Sequence, residues 1–132
     1  MAGQCQQHML HHWAIAGGSA QCADYFLDQG IDIEHTSGFS PLGWNWTALQ
    51  IAASCGSTRC VELLIAKGAN IHFKDPDQYQ AIHRAASSGS VECVKILAQH
   101  KADVNAYNED GKTPLCLAVR NKQATCVREL VK

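Results

Sequence analysis

The 132-residue chain carries 11 Lys and Arg against 12 Asp and Glu, a formal net charge of −1, so it lacks the basic excess that draws proteins to phosphate backbones. Its hydrophobic content of 46% is ordinary for a globular chain and argues against intrinsic disorder. No apolar stretch approaches the roughly 18 residues a membrane-spanning helix needs, and Met1–Leu10 has neither the charged nor the apolar region of a secretory signal. The expected location is cytoplasmic, nuclear or both.

Taken in chain order, the pattern predicts one domain over 1–132 made of about four similar units, approximately 9–36, 44–76, 77–109 and 110–132, with an inserted loop at 37–46. The first unit holds a helix pair from about Met9 to Gln29, with Leu10, Ala14, Cys22, Phe26 and Leu27 facing inward. The inserted loop follows. From Ile33 to Thr47 there are 14 steps, against 9 from Ile71 to Gln80 and 9 from Val104 to Thr113. Gly38, Pro41 and Gly43 mark it as irregular. Its rings Phe39, Trp44 and Trp46 either form a contact site, since aromatics are enriched at hot spots, or fold back as local core.

The second unit places a helix pair at about Thr47 to Lys67, with Leu49, Ala52, Ala53, Val61, Leu64 and Ile65 inside. The third runs from about Gln80 to His100, with Ile82, Ala85, Ala86, Val94, Ile96 and Leu97 inside, and the fourth starts at Thr113. Apolar residues at i, i+3 and i+4 in the second helix of each pair favour helix over strand. Gly18, Gly56 and Gly89 join the paired helices, and Gly30 and Gly68 end the second ones, where a left-handed residue closes a helix without steric penalty. Lys101 and Lys122 stand at two such places and are strained by about 1 kcal/mol each if the backbone stays left-handed there. Ile31–Thr36, Ala69–Lys74 and Ala102–Tyr107 lead into extended hairpins between units.

Seven cysteines are present, and their register is regular. Cys60, Cys93 and Cys126 are 33 residues apart, and Cys22 takes the same place in the first unit. A file of buried thiols acting as small hydrophobes is expected. No Cys-x-x-Cys pair supports a zinc site, and neither a metal nor a cofactor is expected. Catalytic signatures such as G-x-S-x-G, a phosphate-binding P-loop or H-E-x-x-H are absent, so no catalytic residue is assigned. His8, His11 and His12 have helical spacing, but His12 and His83 share one register and are read as structural; Gln50 and Cys116 interrupt that column. Cys55 precedes a turn glycine and is expected to be exposed without an activating base.

Trp46–Ala53, Gln80–Ala86 and Thr113–Ala118 recur at the same 33-residue interval. That period, with the Thr113-Pro114-Leu115 core of the last unit, resembles the ankyrin repeat, a turn plus two helices whose apolar face only a neighbour can cover. The resemblance implies an all-α solenoid of helix-turn-helix units joined by β-hairpin-like loops. It also implies protein binding on a concave face formed by hairpin tips and the first helices. By register that surface is Trp44, Trp46, Ser54, Cys55, Lys74, Pro76, Asp77, Tyr79, Ser87, Ser88, Tyr107, Glu109, Asp110, Lys112, Arg120 and Asn121.

Within the family, the segments His12-Trp13-Ala14, Gly43-Trp44, Ile51-Ala52-Ala53-Ser54, Ile82-His83-Arg84-Ala85-Ala86 and His100-Lys101-Ala102 are similar to the chaperones that assemble the proteasome regulatory particle. That likeness implies a proteasomal ATPase as the partner, although this chain has fewer repeats and the Phe39–Trp46 loop is extra. Two functions follow: a non-catalytic adaptor or chaperone, or the targeting portion of a larger enzyme such as a ubiquitin ligase or acyltransferase. Val127, Leu130 and Val131 end the last helix without the polar cap that solenoids need, so either more chain follows or that face self-associates.

Overall fold

The computed structural model describes residues 13–30, 33, 47–75 and 78–131. Among them seven helices run in order: α1 (Ala20–Asp28), α2 (Ala48–Cys55), α3 (Thr58–Ala66), α4 (Ala81–Ser88), α5 (Val91–Gln99), α6 (Pro114–Arg120) and α7 (Ala124–Leu130). A helical turn at 13–16 precedes α1. No described residue is in a strand, and no described helix is long and apolar enough to cross a membrane. The linking segments are hydrogen-bonded turns rather than strand pairs.

Helices α2, α4 and α6 pack side by side as one layer, and α1, α3, α5 and α7 as a second. Polar caps start the first layer: Thr47 exchanges bonds with Gln50 at both backbone amides, and Thr113 accepts from the Cys116 amide ahead of Pro114 at the first helical position. Small side chains let the layer close tightly. Ala52, Ala53, Ala85, Ala86 and Ala118 are fully buried, as are Leu64, Val61 and Leu97 behind them. The first three pairs turn at a glycine with positive φ, Gly18, Gly56 and Gly89, and the last turns at Lys122. Lys101 and Lys122 keep the left-handed backbone at φ 70° and 59°, and Gln78 shares it at 64°.

Cys60, Cys93 and Cys126 are fully buried free thiols. Burial holds all three above the ordinary thiol range, Cys93 up to about 11, with neighbouring Cys126 and Cys60 adding to it. Cys22 departs from this file: it is exposed, and Ala23 is the buried residue of α1. The thiol position faces the preceding unit, because Cys126 is buried in the last one. The first unit has no earlier helix pair among the described residues to cover Cys22. In the helical turn before α1, Ile15 is buried whereas Ala14 is only half-buried, and Phe26 is half-buried too. Leu10, His8, His11, His12 and the loop 37–46 lie outside the described residues.

Candidate functional site

Two turn tips, one after α3 and one after α5, share a scaffold in which a short side chain stands in for backbone. Asp75 Oδ1 accepts from the Tyr79 amide at 2.9 Å, while the Gln78 amide donates to Asp75 O at 2.8 Å. Thirty-three residues on, Asn108 Oδ1 accepts from the Asp110 and Lys112 amides, both at 2.9 Å, and the Gly111 amide donates to Asn108 O at 3.0 Å. Asp and Asn suit this position because their side-chain oxygens reach their own turn. Gly111 and Gln78 fill the same left-handed place, so Gln78 carries strain that Gly111 avoids.

Each tip is gripped from the helix below. Gln50 Nε2 donates to Tyr79 O at 2.8 Å, and its Oε1 accepts from the Thr47 amide at 3.0 Å. His83 does the same in the next unit: Nδ1 accepts from the Gln80 amide at 3.1 Å, so Nε2 carries the proton and donates to Ala106 O at 2.9 Å. The neutral ring is favoured, since burial lowers the His83 pKa more than its backbone partners raise it. The break in the histidine column at Gln50 is therefore a change of residue without a change of role. Cys116, third in the column, is exposed, and the Thr113 hydroxyl bonded to its sulfur lowers its pKa.

Arg84 pairs with the buried Asp75 carboxylate and lays its guanidinium 4.1 Å above the Tyr79 ring, which in turn stands 5.6 Å from His83. Tyr79 is thus half-buried and committed to its own tip through amide, carbonyl and ring. Ser88 is exposed, but its hydroxyl bonds Ala53 O in the preceding unit and Ala85 O and Ser90 Oγ in its own. Asn121, at the same register one unit later, donates to Ser87 O and Oγ at 3.1 and 2.8 Å. These side chains tie neighbouring units together.

What remains open to solvent is narrower than the register implies. Lys74 and Tyr107 share one register on successive tips, and both are exposed, Tyr107 by 67%. Glu109, Asp110 and Lys112 complete the second tip and are exposed, as are Cys55 and Arg120 at the ends of α2 and α6; Ser54 and Ser87 are half-buried. Trp44, Trp46, Pro76 and Asp77 lie outside the described residues. Sequence reasoning missed Asp75, Arg84, Asn108 and the part played by Gln50. An acid or amide at 75 and 108, four residues before the backbone amide from which its oxygen accepts, was the available signal. Among the described residues no cluster of three His, Cys, Asp or Glu side chains could hold a metal.

A family model described as ankyrin repeats (3 copies) matches residues 2–75 and again 49–132. No curated protein matches the chain.

Proposed function

Because this chain belongs to the ankyrin-repeat family over nearly its whole length, we propose that it works as a non-catalytic adaptor or chaperone holding a folded protein across its turn tips. Ankyrin repeats are protein–protein interaction modules and typically non-catalytic, which supports the general part of this reading. The particular support is Tyr107, a large amphipathic ring left 67% exposed on a turn that Asn108 locks with two side-chain bonds. A rigid aromatic flanked by Glu109, Asp110 and Lys112 loses little freedom on binding, which is what recognition surfaces select. Lys74 on the preceding tip and Arg120 on α6 extend the surface.

The partner we propose is the C-terminal domain of a proteasomal ATPase, in the manner of gankyrin-like assembly chaperones, with action in the cytoplasm, the nucleus or both. Support comes from the five quoted sequence segments alone, from His12-Trp13-Ala14 to His100-Lys101-Ala102. Isothermal calorimetry of the chain against purified ATPase C-terminal domains tests this partner, and absence of heat with all of them removes it. Tyr107→Ala and Lys74→Ala test the surface. Each should retain the helical circular-dichroism signal while weakening the partner at least about tenfold. Tyr79→Ala is a poor probe, since it also removes the ring beneath Arg84. Full affinity in both exposed variants would move the interface elsewhere.

A further inference from the structure

Every junction between units is built from two unlike faces, and the register shows which residues belong to each. On the forward face of a unit lie the inter-helix glycine and the last alanine of the first helix of the pair. Ala53 and Ala86 are fully buried there by the next unit. On the backward face lie the cap serine of the second helix and the thiol one turn later. A Cβ placed on Gly18 or Gly56 would come within 3.3 or 3.0 Å of the Ser57 or Ser90 hydroxyl of the following unit. Cys60, Cys93 and Cys126 are fully buried on that backward face.

Both ends of the described stack present one of these faces uncovered. At the far end, Val119 occupies the register of Ala53 and Ala86 but is 59% exposed, and Val127 and Leu130 are only partly buried where Val61, Val94, Leu64 and Leu97 are sealed. Val119 and Val127 border an open groove of about 490 Å³ that Ala118, Gln123 and Ala124 also line. At the near end, Trp13 holds the register of the buried Ile51 and Leu117 yet is 56% exposed; Cys22 is exposed, and Tyr25 is 60% exposed. Three of the large apolar side chains most open to water among the described residues, Trp13, Tyr25 and Val119, therefore sit on these two end faces.

The two faces are halves of one interface, already formed three times within the chain, and we infer that two copies associate head to tail, with the Trp13–Cys22–Tyr25 face of one seated on the Val119–Val127–Leu130 face of another. The occupant follows from continuity: what covers the forward face at each internal junction is the backward face of a unit, and the first unit presents such a face that no other described helix covers. Lys122 replaces the glycine at this joint, so the incoming cap must be small. Ser19 caps α1 and meets that need. By contrast, Gln123 comes within 2.4 Å of a Cβ built on Gly89. Unlike faces in contact make a heterologous interface, which adds copies in a line unless the rotation closes a ring. The inference uses the end faces and is independent of partner binding at the turn tips.

Sedimentation velocity of the 132-residue chain over a micromolar to near-millimolar series tests it. The mean mass should rise with concentration. Val119→Glu and Cys22→Glu alter exposed positions on opposite ends, and each alone should associate at least about tenfold more weakly. An equimolar mixture of the two keeps one intact face on each protein, so it should form a species of two chains and stop there. Tyr25→Glu is a second near-end variant, and circular dichroism checks that all three fold. A monomer at every concentration overturns the inference. So does wild-type association by the folded Cys22→Glu and Tyr25→Glu proteins, which would mean that forward faces pair with each other.

Discussion

The guanidinium carbon of Arg84 stands 4.1 Å above the centroid of the Tyr79 ring, so the cation caps the aromatic while its Nη2 engages Asp75. The three groups come from one turn tip and the helix beneath it, and Asp75 is only 2% exposed. Arg84→Leu should destabilise the fold by roughly 3 kcal/mol, because a buried carboxylate loses its counter-charge. In the next unit the same two places hold Asn108 and Leu117, an uncharged solution to the same geometry. The double variant Asp75→Asn with Arg84→Leu should therefore recover most of that loss in urea denaturation. Simple addition of the two single penalties would show that the pair is not coupled.

Gln50 gives a cleaner test of how one unit grips the next. Its amide is buried and bonds Tyr79 O across the junction. Gln50→Ala leaves that carbonyl and the Thr47 amide short of partners and should destabilise by about 1–3 kcal/mol. Gln50→His copies His83 and should retain most of the stability in thermal melts. Equal losses for both variants would mean that the volume of Gln50 matters and its bonds do not.

Acid should act through His83. Its Nδ1 accepts from the Gln80 amide, so a second proton has no place without breaking that bond. Burial, the largest influence, places the folded pKa below the ordinary 6.5. The contribution is therefore fully present above about pH 6.5 and is lost as pH falls from there through the folded value, with a slope of up to about 1.4 kcal/mol per pH unit for one proton. His83→Gln should remove this part of the slope in denaturation titrations between pH 5 and 7 (roughly the interval in which an unperturbed imidazole charges). An unchanged slope would assign acid sensitivity to other groups.

The left-handed lysines offer room for stabilisation. Lys101 sits at φ 70° in the register where Gly68 adopts 91°. Lys101→Gly should raise stability by up to about 1 kcal/mol, since the strain of a side chain there is relieved. Gly56→Ala should have the opposite sign, from its φ of 73° and the Ser90 hydroxyl 3.0 Å from the new methyl. Melting curves for both variants decide it.

The helical layers were readable because their cause is local: the 33-residue period, the Thr47 and Thr113 caps and the paired alanines repeat wherever a neighbour must pack closely. Three kinds of residue escaped that reading. Arg84 stands in the register of Ile51 and Leu117, and nothing in the period announces a charge there. Only the turn brings Asp75 and Tyr79 to it. Cys22 obeys the register yet lies exposed, because burial at that place is conferred by the preceding unit. Ser88 and Tyr79 looked like free recognition groups, but their hydrogen bonds close on carbonyls and turns that no spacing rule reveals. The candidate surface accordingly contracts toward Tyr107 and its neighbours, residues whose exposure depends on what the tip leaves unbonded.

The file of thiols supplies the molecule with internal clocks. Cys60, Cys93 and Cys126 each mark a different seam, and a thiol whose proton is held this firmly reacts with an alkylating reagent only after its seam has parted. Mass-resolved labelling would therefore time the opening of each seam separately, in the native chain and without an introduced probe.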